Sequence, residues 1–484
     1  MIIFRLLPGV DIPNHLAVST IYKYIGYPDN LFSQYFKIHF LFKPGVVHTI
    51  FCALPIFPSI EFGNHLFFGI YAILLPLSVL LIIRRFNGNI WYSLLAFTLI
   101  HHFSCSWGFV IFTMGMPLAL LSFYYTLNYL ENGSLKNRII LTIFFAFIFF
   151  THALAFLFAM FLYVSTVLYK HRLVWKKLFG DFLIVLPTGI ITLIWWFFFT
   201  RPGNSETLSQ LADYYTGNFI KLYSDRFLDL LKFDNYFLFE GTSGVLVAVL
   251  FSSAIILTAL IGIILARRQL KEIFKEGLSN IIPVLIAVTF LCFFFLPHGL
   301  PGEEYIYQRF GFVFLISLLI LGARLLKNRT PLIIKIFIVI LTVINIGLWY
   351  DYYNDFNREN VNFRQDIFPH NGQLPLAAII IDYEFRGQPM YIQFQNYYIV
   401  WNKGIVTTPI VDYRFGNIGR IVDYNYLPKY HAWVGRHPLS YDKRYNHFGN
   451  IIVRGKIPPE IIHRFDGFIK AGTKNGWTLY IRKS

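Results

Sequence analysis

The stretch Pro8-Gly9-Val10-Asp11-Ile12-Pro13-Asn14-His15-Leu16 stands almost at the N-terminus, ahead of the first long hydrophobic segment. It sets a carboxylate and an imidazole four residues apart, so a helical turn carries both on one face. Pro13 suits the first turn of a helix that starts here, where its missing N–H costs no hydrogen bond. Asp11 reads in two ways at this point. It is an N-cap and nothing more, or it is a carboxylate at the rim of an apolar bundle, placed to accept a proton from a hydroxyl or to hold a divalent cation. His15 is open in the same way, between an interfacial histidine satisfied by its surroundings and a group that binds substrate.

Beyond this stretch the chain turns apolar. Of 484 residues, 56% are hydrophobic and 14% charged, against about 25% charged in an average soluble domain. The mean hydropathy is +0.53. An ordinary water-soluble globule is excluded, and the class is an α-helical polytopic membrane protein. A spanning helix needs about 20 apolar residues, and runs over 62–83, 90–102, 109–130, 178–199, 244–266, 280–297, 310–326 and 332–350 are candidates. The run 139–169 is too long for one crossing, is interrupted at Thr151-His152 and is basic at both ends. It therefore leaves and returns on one side as two short helices meeting near His152, which brings the count to about ten spanning or re-entrant helices.

The net charge of +16 follows this topology rather than a nucleic-acid partner. Arg84, Arg85, Lys136, Arg138, Lys170, Arg172, Arg267, Arg268, Lys271, Arg324 and Lys327 all fall in the short loops of one face, which the positive-inside rule makes cytoplasmic. Residues 1–61 then form an outer loop region with short interfacial helices over 36–42 and 46–57. Residues 62–350 form the membrane domain, with outer loops at 200–243 and 298–308. Residues 351–484 read as a soluble extracytoplasmic domain of about 130 residues. In that domain 377–381, 450–454 and 477–482 are strand-like. Residues 459–470 read as a helix carrying Ile461, Ile462, Phe465 and Ile469 on one face, so the domain is small and α/β. Seven residues precede Pro8, too few to cross a bilayer, and the start reads as a truncated version of a longer chain or the end of a lost first helix. No signal-peptide pattern is present. Cys52, Cys105 and Cys292 sit in or beside apolar segments without metal or disulfide spacing.

A second polar constellation, His298-Gly-Leu-Pro-Gly-Glu303-Glu304-Tyr-Ile-Tyr307-Gln308-Arg309, joins two predicted spans on the outer face. A guanidinium at the outer end of a helix offers paired donors that fit a phosphate; a snorkelling interfacial arginine is the plainer reading. Glu303, Glu304 and Tyr307 are candidates for sugar hydroxyls or a metal. His152, at the turn of the short hairpin, is polar at membrane depth and points to a cavity or a buried hydrogen bond. His101 and His102 precede Ser104-Cys105-Ser106-Trp107-Gly108 at an outer helix end. There is no Walker loop, GxGxxG or CxxC.

An acidic residue in the first outer loop, many spans with short hairpins, an arginine in a late outer loop and a C-terminal outer domain together resemble the GT-C superfamily of membrane glycosyltransferases. More narrowly, Asp11-Ile-Pro-Asn-His15-Leu, Gly108-Phe-Val-Ile-Phe-Thr-Met-Gly-Met-Pro117 and Gly476-Trp-Thr-Leu-Tyr480 are similar to a set of bacterial membrane proteins grouped with it. The resemblance implies a transferase of the bacterial plasma membrane that takes a sugar from a polyprenyl-phosphate or polyprenyl-diphosphate donor to a saccharide, lipid or protein acceptor at the outer leaflet. Asp11 would be its base or the ligand of a magnesium or manganese ion, the one cofactor implied. Arg309 would hold the donor phosphate. A transporter or flippase of a lipid-linked saccharide and a non-enzymatic envelope assembly protein are the alternatives from other classes.

Overall fold

The computed structural model describes residues 3–39, 42–172, 174–199, 219–232, 241–275, 277–299, 304–327, 329–369, 375–406, 417–420, 433–434, 448–457, 459 and 465–483. Helix α1 (Ile12–Tyr24), strand β1 (Phe36–Ile38) and helix α2 (Val46–Ala53) come first. The bundle follows with α3 (Ile60–Arg85), a 3-10 segment (Ile90–Leu99), α4 (Phe103–Trp107), α5 (Val110–Asn132), α6 (Leu135–Thr151), α7 (Ala153–His171) and α8 (Trp175–Phe199). After them stand α9 (Phe219–Lys232), α10 (Gly241–Ala266), α11 (Ile282–Phe295), a 3-10 turn (Tyr307–Phe310), α12 (Gly311–Leu325) and α13 (Leu332–Glu359). Among the described residues seven helices are long and apolar enough to cross a membrane: Ile60–Arg85, Val110–Asn132, Ala153–His171, Leu178–Trp195, Leu246–Ala266, Tyr307–Leu325 and Leu332–Glu359. The protein is a mostly helical membrane protein with a small C-terminal sheet.

Local chemistry explains several boundaries. Ser59 accepts from the Phe62 amide at 3.1 Å and starts α3, while Arg84 and Arg85 close it against the negative end of the helix dipole. The run 139–169 folds as two helices with a single residue between them. His152 has extended backbone, ends α6 and caps α7 by accepting from the Leu154 amide through Nδ1 at 3.1 Å. The 90–102 run is instead a ten-residue 3-10 segment packed on α3, α12 and α13. At about 2 Å per residue it reaches roughly 20 Å, short of a hydrocarbon core of about 30 Å. Helices α10 and α12 pack most closely at Gly322, where a Cβ would come within 2.6 Å of the Thr258 side chain.

Two predicted outer helices are corrected. Phe36–Ile38 is a strand, because it finds an antiparallel partner almost four hundred residues away in β3 (Ile418–Arg420). The helix read over 459–470 is corrected at its C-terminal end, since Pro459 is helical but 468–470 are strand. Phe465 is a 3-10 position, 466–467 are turn, and Phe468 begins strand β6 (Phe468–Lys474), hairpinned to β7 (Trp477–Arg482) through Asn475 and Gly476 at φ 52° and 76°. Residues 460–464 of that reading, and the 200–243 loop apart from α9 and the start of α10, lie outside the described residues.

The C-terminal sheet has the order β4-β2-β5-β7-β6, with β2 (Leu376–Ile380) parallel to β4 (Trp433–Val434) and to β5 (Asn450–Arg454), and the β5–β7 and β7–β6 pairs antiparallel. It is fastened to the end of α13. Arg454 is buried, lies 3.6 Å over the Tyr391 ring and reaches Glu359 at 3.0 Å, and Arg386 pairs with Asp355. The N-terminal segment joins the same region. The Asn357 amide pairs with both the N–H and the C=O of Leu6 at 2.9 Å, and Arg5 donates to the Phe363 carbonyl at 2.7 Å. The start of α1 is therefore held between the bundle and the C-terminal domain.

Candidate anion-binding site

Asp11 occupies the N-cap position of α1, yet its side chain makes no capping hydrogen bond. The carboxylate is therefore not spent on capping this helix. What fixes Asp11 is its backbone, whose amide donates to the Trp107 carbonyl at 2.9 Å. Gly108, at φ +91°, lies against that amide so closely that a Cβ would stand 2.8 Å from the Asp11 nitrogen. Only glycine meets both conditions. Trp107 in turn packs on Tyr305, with ring centroids 4.6 Å apart. Tyr305 sits within electrostatic range of both Glu304 and Asp11, and its phenol is pushed up first by burial and then by those two carboxylates.

Arg309 closes the same cluster from the other side. It is 4% exposed, its guanidinium lies 4.1 Å from the centroid of Phe109 and 5.6 Å from that of Phe112, and Nη2 donates to the Glu304 carbonyl at 2.9 Å. Phe112 also meets His152 edge to face at 5.3 Å. His152 is within electrostatic range of Arg309 and of His15. Asp11, His15, His152 and Arg309, read from three separate parts of the chain, are gathered here. His15 and His152 keep part of their surface accessible.

Two groups did not announce themselves in the sequence. His48 on α2 meets His15 edge to face at 5.5 Å and bonds Asn64 Oδ1 through Nε2 at 2.9 Å. Burial pushes His15 down to about 3, helped by His48, and pushes His48 down to about 4 against the opposing effect of Asn64. Both imidazoles are therefore neutral near pH 7. No local spacing links His48 to Asn64 or either to His15. Tyr305 carried one retrievable signal, a residue in the Glu304–Arg309 turn next to the acidic pair.

The remaining sequence candidates fall elsewhere. Tyr307 turns toward α9 and α11, where its hydroxyl donates to Asp229 at 2.6 Å and its ring lies 4.2 Å beneath the Arg226 guanidinium. It is not part of the Asp11 cluster, because the 3-10 turn points successive side chains in different directions. Glu304 contributes its carbonyl while its side chain is exposed. Glu303 lies outside the described residues.

The electrostatics favour an anion. Helices α1, α5 and α7 all begin within this cluster, at Asp11, Phe109 and His152. Each brings the positive end of its dipole and amide groups without intrahelical partners. Arg309 adds a full positive charge to these three helix ends. Among the described residues no three His, Cys, Asp or Glu side chains gather in a metal-binding arrangement. Comparisons with protein-family models, curated proteins and solved structures return no match for this chain.

Proposed function

We propose that this protein is an integral-membrane glycosyltransferase that moves a sugar from a polyprenyl-phosphate or polyprenyl-diphosphate donor to an acceptor hydroxyl at the outer leaflet of a bacterial plasma membrane. The supporting observation is the gathering of Asp11 and Arg309 at the meeting point of three helix N-termini. In the proposed step the acceptor oxygen attacks the anomeric carbon of the sugar while its proton passes to the Asp11 carboxylate. The bond from that carbon to the phosphate oxygen breaks, and the lipid phosphate leaves with the electron pair. Negative charge grows on the phosphate as it leaves, where Arg309 and the helix ends already point. His15 and His152, neutral or capping, offer hydrogen bonds to the sugar. On this reading the chain makes about ten crossings or re-entries, with basic loops inside and residues 351–484 outside.

The test uses the full chain in lipid nanodiscs with a radiolabelled polyprenyl-phosphate sugar. Asp11→Asn is expected to lower turnover by about 10²- to 10⁴-fold, the usual contribution of a general base, with the melting temperature unchanged. Turnover that survives the substitution removes Asp11 from the mechanism. A carrier reading draws on one observation, the buried Asp181 bonded by Tyr129 and His171 among α5, α7 and α8, since ionisable groups inside bundles often serve transport. Movement of the intact lipid-linked sugar across the bilayer without transfer would favour it.

A further inference from the structure

The 3-10 turn Tyr307–Phe310 has a second polar side. Gln308, the neighbour of Arg309, lines a small cavity with His102 and Asp229, walled by Phe103, Phe312 and Leu315. His102 is 1% exposed and stacks on Phe312, with centroids 3.6 Å apart and planes at 4°. Its Nδ1 accepts from the Ser104 amide at 3.1 Å. In the neutral ring the hydrogen is then on Nε2, and Nε2 has no hydrogen-bond partner among the described residues. Gln308 donates through Nε2 to His298 Nδ1 at 2.6 Å, which leaves Oε1 as an acceptor that is likewise unpartnered among the described residues. Asp229 adds a carboxylate, one oxygen of which takes the Tyr307 hydroxyl.

One buried donor, one buried amide acceptor and one carboxylate around a small space define a specific complement. An anion is repelled by Asp229. A bare cation meets the Nε2 hydrogen of His102. A hydroxyl fits, accepting from His102 and donating its one hydrogen to Gln308 or to Asp229, and with Gln308 as its acceptor it relieves the cost of both buried polar atoms left unmade. We propose that this cavity is a hydroxyl-reading subsite that takes one non-reacting ring hydroxyl of a saccharide. Gln308 and Arg309 are consecutive, so their Cα atoms are about 3.8 Å apart, and the subsite lies one step along the turn from the anion site. Phe103 is shared by the two, since it lines the cavity and also packs on Trp107, Phe109 and Tyr305. The proposal rests on the transferase reading only in calling the ligand a saccharide.

Binding without turnover tests it. The probes are the methyl glycosides of glucose, galactose, mannose and N-acetylglucosamine, together with citronellyl-phosphate esters of the same sugars, titrated against the full chain in nanodiscs. Asp229→Asn keeps an acceptor for Tyr307 while removing the charge, and His102→Phe keeps the stack on Phe312 while removing the donor. Each is expected to weaken at least one probe about tenfold or more, the usual loss for a hydrogen bond to a charged or buried group. An effect confined to the phosphate esters assigns the hydroxyl to the donor sugar, and an effect on the free glycosides assigns it to the acceptor. If no probe binds, or if both variants bind every probe as the parent does, the subsite is overturned. A protein that binds the probes through His102 and Asp229 yet transfers no sugar keeps the subsite and loses the transferase reading.

Discussion

The guanidinium of Arg309 lies 4.1 Å from the centroid of Phe109, one residue along from the glycine that seats the amide of Asp11. This stack places a charge from the loop before α12 beside a carboxylate from the start of α1, almost three hundred residues away, and holds it away from lipid. It also explains why the position carries arginine. A planar cation can rest on a ring and still present its edge to a phosphate, which a lysine ammonium cannot. Arg309→Ala is expected to weaken affinity for a polyprenyl phosphate by about 10- to 100-fold, the loss of charged hydrogen bonds, and Arg309→Lys should recover little of it. Equilibrium binding of the lipid phosphate measures both, and affinity unchanged in Arg309→Ala would return the residue to a purely interfacial role.

Gly108 is held by two constraints at once, a left-handed backbone and the approach of Asp11. Gly108→Ala should cost about 1–3 kcal/mol for the backbone conformation alone, and its Cβ meets main chain rather than a side chain that can swing aside. A fall of several degrees in melting temperature is expected. Gly26→Ala, at a position with open space around it, should change little and serves as the control.

The His15 and His48 imidazoles give a pH dependence with a definite sign. Their folded pKa values, about 3 and about 4, lie below the 6.5 of an ordinary imidazole. As pH falls below about 6.5 the unfolded chain takes up protons that the folded chain refuses, so stability drops from there down to about pH 4. Thermal unfolding across pH 7 to 4 should show this slope, and His48→Gln, which can still donate to Asn64, should flatten it. A slope identical in the variant would show that His48 is not its source.

Asn396 in the C-terminal domain donates to Asn14, and the two are 0% and 3% exposed. Asn14 lies between Asp11 and His15 on α1, so this bond sets how the helix is turned. Asn396→Ala leaves a buried amide short of a partner, at about 1–3 kcal/mol. In a double-mutant cycle with Asn14→Ala the costs should be less than additive; simple additivity of the two unfolding free energies would mean that the bond does not couple the domains.

Much of this protein is written in local sequence. Apolar runs of sufficient length mark the spanning helices, Thr151-His152 marks the hairpin break, and the Ile- and Val-rich segment at 450–454 and the Trp-, Leu- and Tyr-bearing segment at 477–482 mark two strands of the C-terminal sheet. Asp11 and Arg309 were legible as unusual groups because each stands at the edge of a long apolar stretch, where a charge has few neighbours to explain it. Those features follow from hydrophobic length and period, which a few residues carry by themselves. Tertiary structure alone decided that Phe36–Ile38 pairs with Ile418–Arg420, that Phe468–Lys474 joins a hairpin, that Tyr307 faces Asp229 and that His48 backs His15. Each of these depends on which distant groups come to lie alongside, and burial, dipoles and hydrogen bonds between segments hundreds of residues apart leave no periodicity in the chain.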